Sequence, residues 1–301
     1  MTEPAYTPPA PIGQAVLINF IDALGAAVYW PPVCVGKRWE KKMIKIGVCA
    51  GPDKMEAASR IGFDYVEWGL AGTMEMDGPA FSEAVRRAHD MPIRVEAMNG
   101  MLPGSLKITG PSADLSRVRD YLEPAFERMA RLGAGLVVFG SGGARGVEAG
   151  FPFDAAWRQI ADFLRLAGEI AAGNGIKIAI EPLRREECNI INHVSEAMAL
   201  SALVDLENVG ALGDSFHMHS VSEPFSALTQ AGKRLFHVHT ANPAGRVYPA
   251  PADGADYGAL FSALKAADYS GRVSVEAGCK DFEQDGALAL QALRQARDGA
   301  Q

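Results

Sequence analysis

Residues 176–219, "IKIAIEPLRREECNIINHVSEAMALSALVDLENVGALGDSFHMH", contain two short apolar runs of strand type, each closed by an acid. The first, Ile176 to Ile180, ends in Glu181 and Pro182. The second, Val209 to Gly213, ends in Asp214, with His217 and His219 close behind. The same device recurs downstream, in "LFHVH" (235–239) and "RVSVE" (272–276), so four successive strands end in Glu181, Asp214, His239 and Glu276. Acids seldom occupy buried positions unless they are paired or bound to a cation. Three carboxylates and one imidazole form a mixed oxygen and nitrogen set that suits Mn, Mg or Co, with Zn also compatible. The expectation is that these four side chains hold one divalent ion. The plainer reading makes each of them an ordinary strand-end salt bridge or cap.

Working outward from this stretch, the chain from Ile44 onward alternates short runs rich in Ile and Val with longer segments of helical period, the pattern of repeated βα units and a parallel sheet. Strands are expected near Ile44–Cys49, Tyr65–Trp68, Ile93–Met98, Leu136–Gly140, Ile176–Glu181, Val209–Asp214, Leu235–Thr240 and Val273–Glu276. Helices are expected over Asp114–Leu132, Phe153–Gly173 and Tyr257–Ala267, with Gly133, Gly173 and Gly175 where C-caps belong. Eight such units in residues 43–301 match the roughly 250 residues of a closed (β/α)8 TIM barrel. An open dinucleotide-binding sheet competes, but Gly47, Gly51 and Gly62 lack the GxGxxG spacing. A barrel also places chemistry at the carboxyl ends of strands, where the unusual polar residues fall.

Residues 1–42 do not resemble the rest. They carry Pro4, Pro8, Pro9 and Pro11 and then an apolar stretch, Ala15 to Trp30, too short for a membrane span and without the basic start of a secretory signal. They read as an extension ahead of a natural start at Met43, with a short packing arm as the alternative. The formal charge of -7 gives no basic footprint for nucleic acid or an anionic membrane and leaves a small polar molecule as partner. The four cysteines are scattered without a CxxC pair, which fits reduced thiols in the cytoplasm. Apolar outer helices leave a homo-oligomer open.

The segments "IAIEPLRREECNIINHVSEA", "GALGDSFHMH", "LFHVHTANPAGR" and "YSGRVSVEAG" resemble those of the sugar phosphate isomerase/epimerase family of xylose isomerase-like TIM barrels, over about residues 44–281. This family includes ketose 3-epimerases and hydroxypyruvate isomerases, with endonuclease IV a distant relative. The resemblance implies that Glu181, Asp214, His239 and Glu276 are the metal ligands and that Glu187 and His217 contact a sugar or keto-acid substrate. Arg246 is the counterpart of a substrate-contacting Arg, but it lies seven residues after His239 rather than six, which leaves its role open.

The chemistry follows from the residue types. A hydroxy-ketone has an acidifiable C–H beside its carbonyl, and a divalent ion chelated by the carbonyl and adjacent hydroxyl oxygens stabilises the enediolate. With Glu181 and Glu276 as catalytic groups on opposite faces, one removes the proton and the other returns one, which is epimerisation. One carboxylate serving both steps at neighbouring carbons gives isomerisation. The same base could drive elimination from a 3-keto sugar or cyclic polyol ketone, and a barrel that had lost catalysis would be a binding subunit.

Lesser expectations concern the neighbours. Glu67 reads as a contact to a substrate hydroxyl or as a partner holding a ligand, and Lys107 as a positive charge over the site or a solvated lysine. His237, in phase with His239, reads as a buried, hydrogen-bonded core histidine or as a lower layer beneath the metal, and His219 as a rim contact or a solvent-exposed residue. The cluster Gly140, Gly142, Gly143 and Gly146, with Ser141 and Arg145, reads as a phosphate cradle or a covering loop. Trp68, Met98 and Phe216 read as apolar walls or core.

Overall fold

Strand residues alternate between two apolar environments here, which is what a closed sheet wrapped by helices requires. The computed structural model describes residues 43–300, so the expectation for residues 1–42 lies outside the described residues. Eight parallel strands, β1 (Lys45–Cys49), β2 (Tyr65–Gly69), β3 (Val95–Asn99), β4 (Leu136–Phe139), β5 (Lys177–Ile180), β6 (Val209–Asp214), β7 (Leu235–Thr240) and β8 (Arg272–Val275), close in sequence order, with β8 returning to β1. Each strand is followed by helix on the outside.

One phase of each strand, including Ile46, Val48, Val66, Trp68, Val137, Phe139, Ile178, Ile180, Val273 and Val275, packs under the helices in the main core. The other phase fills the barrel: Tyr65, Ala97, Leu136, Val138, Ala179 and Leu212 form a separate cluster. Gly47 leaves room inside, because a Cβ there would lie 2.5 Å or less from two Tyr65 ring carbons.

The helix Leu115–Leu132 shows how the local sequence sets its element. Asp114 caps it by accepting from the backbone N–H groups of Ser116 and Arg117. Val118, Leu122, Ala125, Phe126 and Met129, three or four apart, are fully buried, and Gly133 ends the helix at φ 82°. Each large side chain buried this way contributes roughly 1.5–3 kcal/mol. Gly173 departs from the expected cap: it is the last helical residue of Phe153–Gly173, Asn174 is the C-cap, and Gly175 takes the positive φ of 69°. Among the described residues no helix is long and apolar enough to cross a membrane.

Candidate metal centre and active site

The inward phase that carries Ala179, Leu212, His237 and Ser274 continues two residues later to Glu181, Asp214, His239 and Glu276. One potential ligand atom from each of these four lies within 4.8 Å of the others. His239 Nδ1 is 3.1 Å from Glu181 Oε1 and 3.4 Å from Glu276 Oε2. Asp214 divides its labour: Oδ1 accepts from the N–H groups of Phe216 and His217 at the start of the helix Ser215–Ser220, at 2.7 and 3.3 Å. Its Oδ2 is buried with no hydrogen-bond partner. A buried carboxylate oxygen without a hydrogen bond, with His217 Nε2 at 3.6 Å and Arg246 Nη2 at 4.0 Å, beside two more carboxylates and an imidazole nitrogen, fits a divalent cation, and the donor set suits a metal that accepts oxygen and nitrogen.

The two glutamates have opposite proton preferences. Burial raises the Glu181 carboxyl above its usual value, and the nearby Glu276 charge adds to the effect. Burial works against ionising Glu276 as well, but the charges of His239 and Arg246 outweigh it and bring that carboxyl down to about 2. Burial alone would lower His239; the surrounding carboxylates, Glu67 and Glu276 foremost, hold it well above the ordinary imidazole value.

Glu187, His217 and Arg246 converge on the same mouth. Arg246 donates to Glu276 Oε2 at 2.7 Å and to Glu187 Oε1 at 3.2 Å, and its guanidinium lies 5.0 Å from the Phe216 ring centre. The extra residue before Arg246 is taken up in a tight turn, with Gly245 at φ 92° and Arg246 itself at 51°, so the shifted spacing still delivers the side chain. Arg184 Nε donates to Glu187 Oε1 at 2.7 Å. His217, 1% exposed, accepts the Arg184 backbone N–H at Nδ1, which leaves the proton on Nε2, 3.6 Å from Asp214 Oδ2.

Other expected contacts are placed elsewhere. Glu67 is 1% exposed, with both oxygens engaged by His237, His239 and Ser274, so it lies beneath the ligands rather than at a substrate surface. Lys107 donates to the carbonyl of Gly143 at 2.6 Å rather than reaching over the acids. The glycine cluster is explained by close packing instead of a phosphate cradle. A Cβ on Gly140 would lie 2.2 Å from Glu181 Oε2, and one on Gly142 2.9 Å from the Glu187 carbonyl oxygen. Arg145 is fully buried and donates to the carbonyls of Phe139, Glu181 and Ile191. Trp68 and Met98 are core residues, and His219 is exposed.

Sequence reasoning missed Cys49, Asn99 and the Tyr65–Ser274 pair. Asn99 donates to Glu276 Oε1 at 3.5 Å, and a Cys49 ligand atom lies within 4.8 Å of those of Glu67 and His239. The available signal was strand phase: Tyr65 and Ser274 stand two residues before Glu67 and Glu276, and Cys49 and Asn99 stand two residues after Gly47 and Ala97 on their strands.

Comparison with known proteins finds relatives of the chain in sequence and in fold. The chain is 32% identical over 120 residues to the 3-dehydro-D-guloside 4-epimerase of Escherichia coli strain K12, covering 40% of this chain and 45% of that protein. It is 26% identical over 227 residues to the L-ribulose 3-epimerase of Methylomonas sp. strain DH-1, covering 73% of this chain and 75% of that one. A crystal structure of D-psicose 3-epimerase with D-tagatose from Clostridium cellulolyticum H10 superposes with a TM-score of 0.76 at 19% identity, over 84% of this chain and 99% of that chain. The match to the E. coli enzyme spans less than half of that relative's length. A family model described as the xylose isomerase-like TIM barrel matches residues 55–299, nearly the whole closed barrel, and the chain belongs to that family.

Proposed function

We propose that this chain is a divalent-metal-dependent isomerase or epimerase of a small ketose or keto-sugar, acting by proton abstraction beside a carbonyl. The observation that carries the reading is the pair Glu181 and Glu276, which approach His239 Nδ1 to 3.1 and 3.4 Å from the ends of two different strands, beside Asp214.

Glu181, Asp214, His239 and Glu276 would hold the cation, which supplies Lewis-acid polarisation of the substrate carbonyl and stabilises the enediolate. Glu181 and Glu276 are the two carboxylates placed to take the carbon-bound proton and to return one. Arg246 and Glu187 present a donor and an acceptor for substrate hydroxyls. His217, whose Nδ1 accepts the Arg184 backbone N–H, turns Nε2 toward Arg246 and Asp214 in the same cavity. The relatives reported above are named as epimerases, which supports proton transfer over elimination.

The test is hydrogen exchange. Wild type and Glu276→Gln, both metal-loaded, are incubated with a panel of ketoses and keto-sugars in D2O. Wild type is expected to introduce deuterium next to a carbonyl, and the variant to lose about 10²–10⁴-fold of that rate. Metal-loaded wild type that exchanges no carbon-bound hydrogen in any panel member contradicts the proposal.

A further inference from the structure

Beneath the four ligand side chains lies a second layer of the barrel interior, whose few polar residues take no part in the proton transfers proposed above. Most of that layer is apolar, with Ala97, Val138, Ala179 and Leu212 filling it. Against this background stand Tyr65, Glu67, His237 and Ser274, each no more than 1% exposed. Burying a carboxylate there costs several kcal/mol more than another aliphatic side chain would. The arrangement therefore calls for an explanation other than stability.

Its hydrogens have one consistent direction. A carboxylate only accepts, so Ser274 Oγ donates to Glu67 Oε2 at 2.6 Å and His237 Nε2 donates to the same oxygen at 2.7 Å. Ser274, having given its hydrogen to Glu67, accepts from the Tyr65 hydroxyl at 2.6 Å. His237 Nδ1 has no partner, as expected when the ring proton sits on Nε2. The other oxygen, Glu67 Oε1, accepts from His239 Nε2 at 3.0 Å. His239 thus keeps a proton on Nε2, and Nδ1, which faces Glu181 and Glu276, is the nitrogen left for a cation once its own proton is displaced.

We propose that Glu67, locked in place by Ser274, Tyr65 and His237, is the positioning residue for His239: it selects the Nε2–H tautomer, aims Nδ1 at the cation and, through its charge, makes the imidazole a stronger donor. Cation affinity is thereby set from a layer that substrate never touches. A carboxylate behind a metal-bound histidine acts in this way, and its loss typically weakens metal binding about 10–100-fold. The inference rests on the reading of Glu181, Asp214, His239 and Glu276 as ligands.

The experiment measures Zn2+ affinity by competition with a chromophoric chelator for wild type, Glu67→Gln and Tyr65→Phe, with metal-free melting curves and circular dichroism beside it. Glu67→Gln is expected to bind Zn2+ about 10–100-fold more weakly. Tyr65→Phe removes only the outermost hydrogen bond and is expected to lose up to about fivefold. Nitrogen-15 NMR of Zn2+-loaded wild type is expected to show His239 protonated at Nε2 and ligated through Nδ1, a readout independent of whether Glu67→Gln folds. Wild type that takes no ion overturns the ligand reading itself. Wild type that binds, with Glu67→Gln within twofold of it or with His239 ligated through Nε2, overturns this inference and leaves the ligand reading standing.

Discussion

Gly140 illustrates how much of the site depends on a missing atom. A Cβ at this position would sit 2.2 Å from Glu181 Oε2, so any larger residue displaces the carboxylate that faces His239. Its backbone has no positive φ, so the effect is one of space rather than strain. Gly140→Ala is accordingly expected to weaken divalent-ion binding at least about tenfold, the scale of losing ligand alignment. Calorimetric titration checks this, and unchanged affinity would mean that Glu181 does not need that space. His239 sets a second expectation. Its folded value lies well above 6.5 although burial opposes this, because Glu67 and Glu276 favour the charged ring. An ion bound at Nδ1 must displace that proton, so binding near neutral pH is expected to release it and to strengthen as pH rises. Titration in buffers of different ionisation enthalpy measures the release, and a binding heat independent of buffer would exclude it.

At the scale of elements, the loop after β4 acts as a strut. Arg145 reaches from the short helix Gly142–Arg145 to the carbonyls of Phe139 at the end of β4, of Glu181 just beyond β5, and of Ile191, which has a positive φ of 61°. Arg145→Met leaves the Glu181 carbonyl without the Arg145 donor, while the carbonyls of Phe139 and Ile191 keep the backbone N–H groups of Glu181 and Leu183, and is expected to cost about 2 kcal/mol, partly offset by no longer burying a charge. Denaturant unfolding of the ion-free protein measures this, and a loss under about 0.5 kcal/mol, the range of an ordinary surface change, would contradict the strut. The strands themselves were legible: Val209–Asp214 and Leu235–Thr240 stand where their apolar runs placed them, and the other six differ by two residues or fewer at either end. An acid or histidine closing an apolar run announces itself in one dimension. The bond from His237 to Glu67 does not, because its partners are 170 residues apart and meet only when β2 and β7 face each other across a closed cylinder. For the same reason Glu67 read equally as a substrate contact and as a partner holding a ligand, and Arg145 as part of a phosphate cradle or of a covering loop.

For the whole molecule, closure of the barrel gathers three carboxylates into one interior, and their mutual repulsion is a cost that a cation removes. An ion at 100 times its dissociation constant is expected to add about 2.7 kcal/mol of stability, visible as a higher melting temperature that a chelator reverses. The two forms should differ in pH response. His239 stabilises the ion-free chain fully below about 6.5, and this contribution is lost as pH rises through its elevated folded value, whereas the ion-loaded chain binds its ion more tightly over that range. Melting curves across alkaline pH, with and without ion, separate these trends. The central claim is that Glu181, Asp214, His239 and Glu276 grip one cation at the mouth of the barrel, and anomalous diffraction from crystals grown with Mn2+ tests it most directly. The expected result is a single strong peak about 2.0–2.4 Å from one atom of each of the four side chains; no peak there, or a peak bound by other residues, would contradict it.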